Sequence, residues 1–134
     1  MDLLNGVSFQ RLHGALQAAS LRHQVLANNI ANVDVPYFKR SDVVFEEILA
    51  QTMGAGSQLA LKTTDPRHIS SGGSSGVPAP KIVTDELTVI NNNRNNVDID
   101  KEMTMLAENQ LRYNLFVQQV SHQVKMLRTG IYGR

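Results

Sequence analysis

The chain has 134 residues, and its 42% hydrophobic and 19% charged content is that of one folded domain or less, not of a disordered polypeptide. A formal net charge of +1 with scattered Lys and Arg excludes the basic footprint of a nucleic-acid binder. The absence of cysteine excludes disulfide scaffolds, thiol catalysis and Cys-based zinc sites, and aromatics at 5% exclude an aromatic-rich core.

The opening MDLLNGVSFQRLHG carries Asp2 where a secretory leader has basic residues, and Arg11 interrupts any apolar stretch, so no cleaved signal peptide is expected. No segment approaches the ~20 apolar residues of a membrane helix. Phe9, Leu12, Leu16, Ala19, His23, Leu26, Ile30 and Val33 recur at alternating steps of three and four. That rhythm predicts a helix with a heptad seam over an N-terminal segment, residues 1–33, with Ser8 as its N-cap and His23 as a tolerated polar layer.

The middle, residues 34–97, reads differently. DVPYFKRSDVV (34–44) contains Pro36 and predicts an extended turn out of the first helix. FEEILAQTM (45–53) predicts two helical turns, and SSGGSSGVPAP (70–80) a flexible loop. KIVTDELTVI (81–90) has strand character, and its turn signal at Thr84–Asp85–Glu86 allows a β-hairpin. The run NNNRNN (91–96) predicts a loop leading into the cap of the last helix.

Over residues 98–134, Ile99, Met103, Leu106, Gln110, Tyr113, Val117, Val120, Val124, Leu127 and Ile131 repeat the heptad rhythm. Acids come early (Asp98, Asp100, Glu102, Glu108) and bases follow (Arg112, Lys125, Arg128, Arg134), as the helix dipole favours. Gly130 and Gly133 mark the end. At ~1.5 Å per residue the two seams span roughly 36 and 48 Å, so residues 1–8 would have to cover the overhang.

The expected fold is therefore all-α: an antiparallel coiled-coil hairpin of the terminal helices, with a largely irregular central insertion carrying a short helix and a β-hairpin. Phe9, Leu12, Leu16, Leu26, Ile30, Leu106, Tyr113, Val117, Val120, Val124, Leu127 and Ile131 are its expected seam. Leu21 and Val25, and likewise Leu111 and Leu115, are i,i+4 pairs off that seam, with Phe116 nearby. Apolar stripes of this kind mark partner surfaces, so these five, with Asn28, Asn29 and Asn32, are assigned to subunit contacts and the isolated chain is expected to be poorly ordered at both ends. Asn28, Asn29, Asn32 and Gln110 carry amides suited to setting register.

No chemistry-bearing constellation emerges. His13, His23, His68 and His122 lack metal spacing, the serines at 70–75 have no nucleophile elbow, and adjacent Glu46 and Glu47 face different ways. No catalytic residue, cofactor or metal is expected.

LANNIANVDVPYFKR (26–40) closely resembles the N-terminal signature of bacterial flagellar rod, hook and axial proteins, with Asn29, Ala31, Asn32, Asp34, Pro36, Phe38 and Lys39 on its motif positions. NVDIDKEMTMLAENQLRYN (96–114) resembles the C-terminal signature of a proximal rod member, and DVVFEE (42–47) and DPRHI (65–69) fit as well. Where that family commonly has Thr-Pro-Gly-Tyr, this chain has Val35-Pro36-Tyr37-Phe38, so a positive φ at residue 37 would be costly. The resemblance implies a homo-oligomeric structural subunit exported without a cleaved signal by the flagellar type III apparatus. It would polymerise into a helical tube in the periplasmic space and transmit torque. Implied partners are a FliE-like adaptor, the MS-ring protein and sibling rod proteins (FlgC-like), with no nucleic acid and no membrane span. The rival readings are a sibling rod protein and a soluble coiled-coil adaptor of a type III secretion system.

Overall fold

A computed structural model describes residues 6–55 and 77–133. In chain order the elements are α1 (Val7–Ala31), β1 (Ser41–Val44), α2 (Glu46–Ala55), β2 (Lys81–Thr84) and α3 (Ile99–Tyr132). The architecture is mostly helical, with two long terminal helices and one two-stranded sheet. Expectations for residues 1–5, DPRHI with His68, the serines at 70–75 and most of the Gly/Ser loop lie outside the described residues.

α1 and α3 pack antiparallel. The Asn29 amide meets the Glu102 carboxylate at 2.9 Å, and ten residues back along α1 the Ala19 carbonyl meets the Asn109 amide at 2.9 Å. The hairpin thus has a closed end, where α1 runs out and α3 begins, and an open end, where Gly6, Ser8 and Phe9 lie across from His122, Met126 and Leu127.

α3 starts sharply because the Asp98 carboxylate accepts the backbone N–H groups of Asp100 and Lys101, with Asp100 and Glu102 in the first turn. It stops at Gly133, whose φ of 71° places it in the left-handed region and whose N–H bonds the Thr129 carbonyl. α1 starts at a Gly6 cap without a side-chain bond, so the expected Ser8 cap is displaced into the first turn.

The expected seam is corrected on α3. Leu106, Tyr113, Val120 and Leu127 are half-buried, but Val117, Val124 and Ile131 are 41%, 47% and 61% exposed, and Ile99 and Met103 are exposed too. The covered stripe instead takes Glu102, Asn109, Phe116 and Gln123, each one residue earlier than the apolar position expected. The three-four rhythm holds, but at Glu102 and Asn109 it is filled by polar groups whose hydrogen bonds to Asn29, Arg40 and the Ala19 carbonyl replace apolar burial. On α1, Leu26 is buried and Phe9, Leu12, Leu16 and Ile30 are half-buried.

The insertion packs on one side of this pair. Phe45, Val43, Val25, Ala18 and Leu26 form the compact apolar centre. Gly14 makes it possible: a Cβ there would lie 2.7 Å from Val77 Cγ1 and 3.3 Å from Phe45 Cζ. β1 pairs antiparallel with β2, Ser41 opposite Thr84. The hairpin expected inside 81–90 is thereby corrected to a long-range pairing. Asp85 is the reason: its N–H extends the ladder to the Arg40 carbonyl, while its carboxylate accepts Leu87 N, Thr88 N and Thr88 Oγ1 and turns the chain away.

Candidate functional site: a polar clamp and an assembly surface

The closed end is held by amides, not by apolar packing. Asn29 is fully buried; its Nδ2 donates to the Ser41 carbonyl (2.8 Å) and Glu102 Oε2 (2.9 Å), and its Oδ1 accepts Ser41 N–H (3.1 Å). The side chain thus does for β1 what a neighbouring strand would do. Glu102, also fully buried, takes the Arg40 Nε at 2.5 Å on its other oxygen. Arg40 spans further to Asp42 at 3.2 Å. Burial opposes the Arg40 cation, but its bonds to Glu102 and Asp42 outweigh that and hold its pKa above the ordinary value.

Asn95 and Asn96 complete the clamp. Asn95 Nδ2 donates to the carbonyls of Asn32, Val33 and Val35 at 2.9–3.0 Å, satisfying the exit of α1 from 60 or more residues away. Its Oδ1 accepts Val97 N–H at 2.6 Å. Asn96 bridges Arg40 N–H (2.6 Å), the Asp85 carbonyl (2.8 Å) and Thr88 Oγ1 (3.0 Å). Asn32 bonds back to Asn28, and Lys39 Nζ reaches the Thr88 carbonyl at 2.8 Å.

Two non-glycine residues here have positive φ: Tyr37 (63°) and Arg94 (62°). Tyr37 adopts the left-handed conformation despite its side chain. Its N–H bonds the Asn93 carbonyl at 3.0 Å, and the Arg94 guanidinium lies 5.9 Å from its ring centroid. The stacked pair offsets strain of roughly 1 kcal/mol at each residue.

Between closed and open ends, Arg22 on α1 grips Glu46 on α2 through two bonds, 2.6 and 2.8 Å, and donates to the Val43 carbonyl at 3.0 Å. That bond holds the Glu46 carboxyl below, and the Arg22 guanidinium above, their ordinary values. Arg112 pairs with Glu108 and lies 3.7 Å from Glu46. A cleft of about 190 Å³ among Arg22, Asp42, Glu108, Asn109 and Arg112 is thus lined largely by charges engaged in ion pairs. The Asn109 Oδ1 is buried with no hydrogen-bond partner among the described residues. Among the described residues no group of three His, Asp or Glu could hold a metal ion, and no helix is long and apolar enough to cross a membrane.

The residues assigned to subunit contacts divide. Leu111 and Leu115 are 71% and 63% exposed, with Asn28 and Gln110 also exposed and Leu21, Asn32 and Phe116 half-buried. Val25 and Asn29 are corrected: both are buried inside the chain, Val25 in the apolar centre and Asn29 in the clamp, so neither offers a free surface. Glu102, Arg40, Asn95 and Asn96 were not singled out by sequence reasoning as functional. The second Asn cluster at 91–96, just before the last helix, was the available signal.

A family model described as flagella basal body rod protein matches residues 10–39. The chain is 37% identical over 133 residues to the flagellar basal body rod protein FlgB of Bacillus subtilis (strain 168), covering 99% of this chain and 98% of that one. It is 38% identical over 129 residues to FlgB of Borrelia hermsii, covering 93% and 96%.

The chain belongs to the FlgB family.

It is a structural protein of the flagellar basal body rod. The 10–39 stretch ends one residue before Arg40 and contains Asn29, Ala31, Asn32, Asp34, Pro36, Phe38 and Lys39. In this FlgB-family chain Asn29, Asn32 and Lys39 are therefore the α1-side half of the clamp, with Glu102, Asn95 and Asn96 as the other half. FlgB of Aquifex aeolicus (strain VF5), 28% identical, aligns over all 134 residues of this chain and 98% of its own.

Proposed function

We propose that this chain is a subunit of the proximal rod that polymerises through its paired terminal helices, joins the membrane-ring and export-gate base to the distal rod, and transmits torque. The observation that carries this is the outer face of α3. Leu111, Leu115 and Met126 are exposed on that face, and Val117 and Val124 are exposed on a separate stripe beside the seam, in a chain that matches rod proteins end to end. A soluble monomer does not keep apolar residues in such a row without a use for them. Neighbouring helices in the tube would cover them, completing the coiled-coil packing that α1 alone leaves unfinished. The partners are sibling rod proteins, a FliE-like adaptor and the MS-ring protein, reached after export without a cleaved signal.

The division of labour suits transmission of torque. Buried, paired polar groups fix the geometry of each subunit, while apolar flanks supply contact between subunits. Leu115→Asp is expected to abolish rod assembly and swimming while leaving secretion of the protein into the medium intact. Swimming at the parental rate would overturn the contact assignment.

A further inference from the structure

The unpartnered Asn109 Oδ1 faces a defined chemistry. Asn109 is 3% exposed, and its Nδ2 donates to the Ala19 carbonyl at 2.9 Å. A carbonyl only accepts, so the amide nitrogen must face α1 and the oxygen must face away from it. That oxygen is also only an acceptor, and an unmatched acceptor inside a protein is costly. Whatever meets it must donate.

The surrounding charges say what kind of donor. Asn109 lines the cleft of about 190 Å³ together with Arg22, Asp42, Met105, Glu108 and Arg112. The cations of this wall are already engaged: Arg22 with Glu46 and the Val43 carbonyl, Arg112 with Glu108. Arg40, the partner of Asp42, gives its Nε to Glu102. With these partners the cluster holds three guanidinium groups against four carboxylates, those of Asp42, Glu46, Glu102 and Glu108. One negative charge is in excess. A cationic donor answers both the Asn109 oxygen and the excess charge, a neutral donor answers only the first, and an anion answers neither. The second cleft beside Asn109, among Ser20, His23, Gln110 and Tyr113, is lined by no carboxylate.

The charged cleft opens beside the exposed flank of α3. Glu108, Leu111, Arg112 and Leu115 follow at steps of three and four residues and share one face of the helix. A chain lying over Leu111 and Leu115 therefore passes the mouth of the cleft. We propose that the cleft receives a cationic side-chain head, a lysine ammonium or an arginine guanidinium, from the neighbouring chain that covers Leu111 and Leu115. Asn109 Oδ1, Asp42 and Glu108 accept its N–H groups, and its aliphatic stem lies along the leucines. A neighbour without a base at this point leaves the acceptor and the excess charge covered but unanswered, so the site rejects chains that apolar contact alone would admit. The inference rests on the reading of the α3 flank as a covered surface and adds the group that sets register there.

Titration of the isotope-labelled full-length chain with butylammonium and with butylguanidinium, read by NMR at the Asn109 side-chain amide, tests it. Both cations are expected to shift that amide saturably, whereas butanol and butyrate at the same concentration are not. Asp42→Asn with Glu108→Gln removes two carboxylates and keeps their shape. It is expected to weaken binding of both cations at least about tenfold, since one charge at ~4 Å in water changes affinity about fivefold. The two side chains are 39% and 58% exposed, so the circular dichroism spectrum and melting temperature are expected to match the parent's. In cells the double variant is expected to be secreted but not to swim.

An Asn109 amide that responds to neither cation, or that responds equally to butanol, would overturn the proposal; in the second case a bound water is enough. So would a double variant that binds the cations as the parent does, or one that loses them and still swims at the parental rate. Leu115→Asp separates this from the reading beneath it, and is expected to bind both cations as the parent does. If Leu115→Asp swims and the double variant does not, the flank assignment fails and the cation site stands. If Leu115→Asp abolishes swimming and the double variant does not, the flank stands and the cation site falls.

Discussion

The closed end and the outer face of α3 are built on opposite principles. At the closed end Asn29, Asn95, Asn96 and Glu102 are removed from water, and with half-buried Arg40 they are bonded to one another or to backbone. On α3, Leu111, Leu115, Val117 and Val124 face solvent. Polar residues are inside and apolar ones outside, the reverse of a self-sufficient domain. The contrast shows that the buried polar set specifies one hairpin geometry, whereas the exposed apolar set has no covering partner among the described residues.

The contrast can be broken most severely at Glu102. Glu102→Ala takes from half-buried Arg40 its fully buried partner, leaving it Asp42, and from buried Asn29 one of two acceptors, and is expected to cost about 3 kcal/mol in urea denaturation. Leu111→Ala, on the exposed side, is expected to stay within about 0.5 kcal/mol of the parent. Comparable losses for the two would erase the distinction.

Asn95→Ala comes next. It removes the Asn95 donor from the carbonyls of Asn32, Val33 and Val35, of which Asn32 and Val35 keep the Val35 and Phe38 N–H groups, and a loss of about 1–3 kcal/mol is expected, with faster amide exchange confined to the last turn of α1 and residues 33–38.

A smaller effect follows from Glu46. Its carboxyl is held below its ordinary value of 4.5 by Arg22, so its contribution is present above that value and lost as pH falls through the depressed one. The Glu46 side chain is 57% exposed, so solvent screening limits the loss to about 0.5 kcal/mol. Thermal melts between pH 6 and 3 are expected to show a shallower decline for Glu46→Gln than for the parent.

The smallest change is expected from Tyr37→Gly. Relief of about 1 kcal/mol of left-handed strain is offset by loss of the Arg94 stacking and by glycine's freedom in the unfolded chain. The melting temperature should move by only a degree or two.

Much of the helical frame was legible in the sequence because periodicity and end signals act locally: the rhythm of Leu106, Tyr113, Val120 and Leu127, the early acids of the last helix, and Gly133 at the stop. The clamp was not, because Asn95 and Asn32 are 63 residues apart and nothing local pairs them. The alternate seam positions misled for a related reason. An apolar-periodicity argument selects Val117 and Val124 and passes over Asn109 and Gln123, and only the position of α1 shows that the polar residues turn inward. The strand at 81–84 was recognised by composition, but its partner was not, since Asp85 decides against a local return.

The bond from Asn95 to the exit of α1 also bears on timing. Delivered from its amino terminus through a narrow passage, the chain would present its first helix long before the residue that finishes that helix had emerged. Until residue 95 arrived, the carbonyls of Asn32, Val33 and Val35 would lack the amide that gathers them, and Val33 would have only water to bind. A subunit delivered in that order would remain incomplete until roughly its last third was free, and such a delay would keep newly arriving copies from locking together in transit.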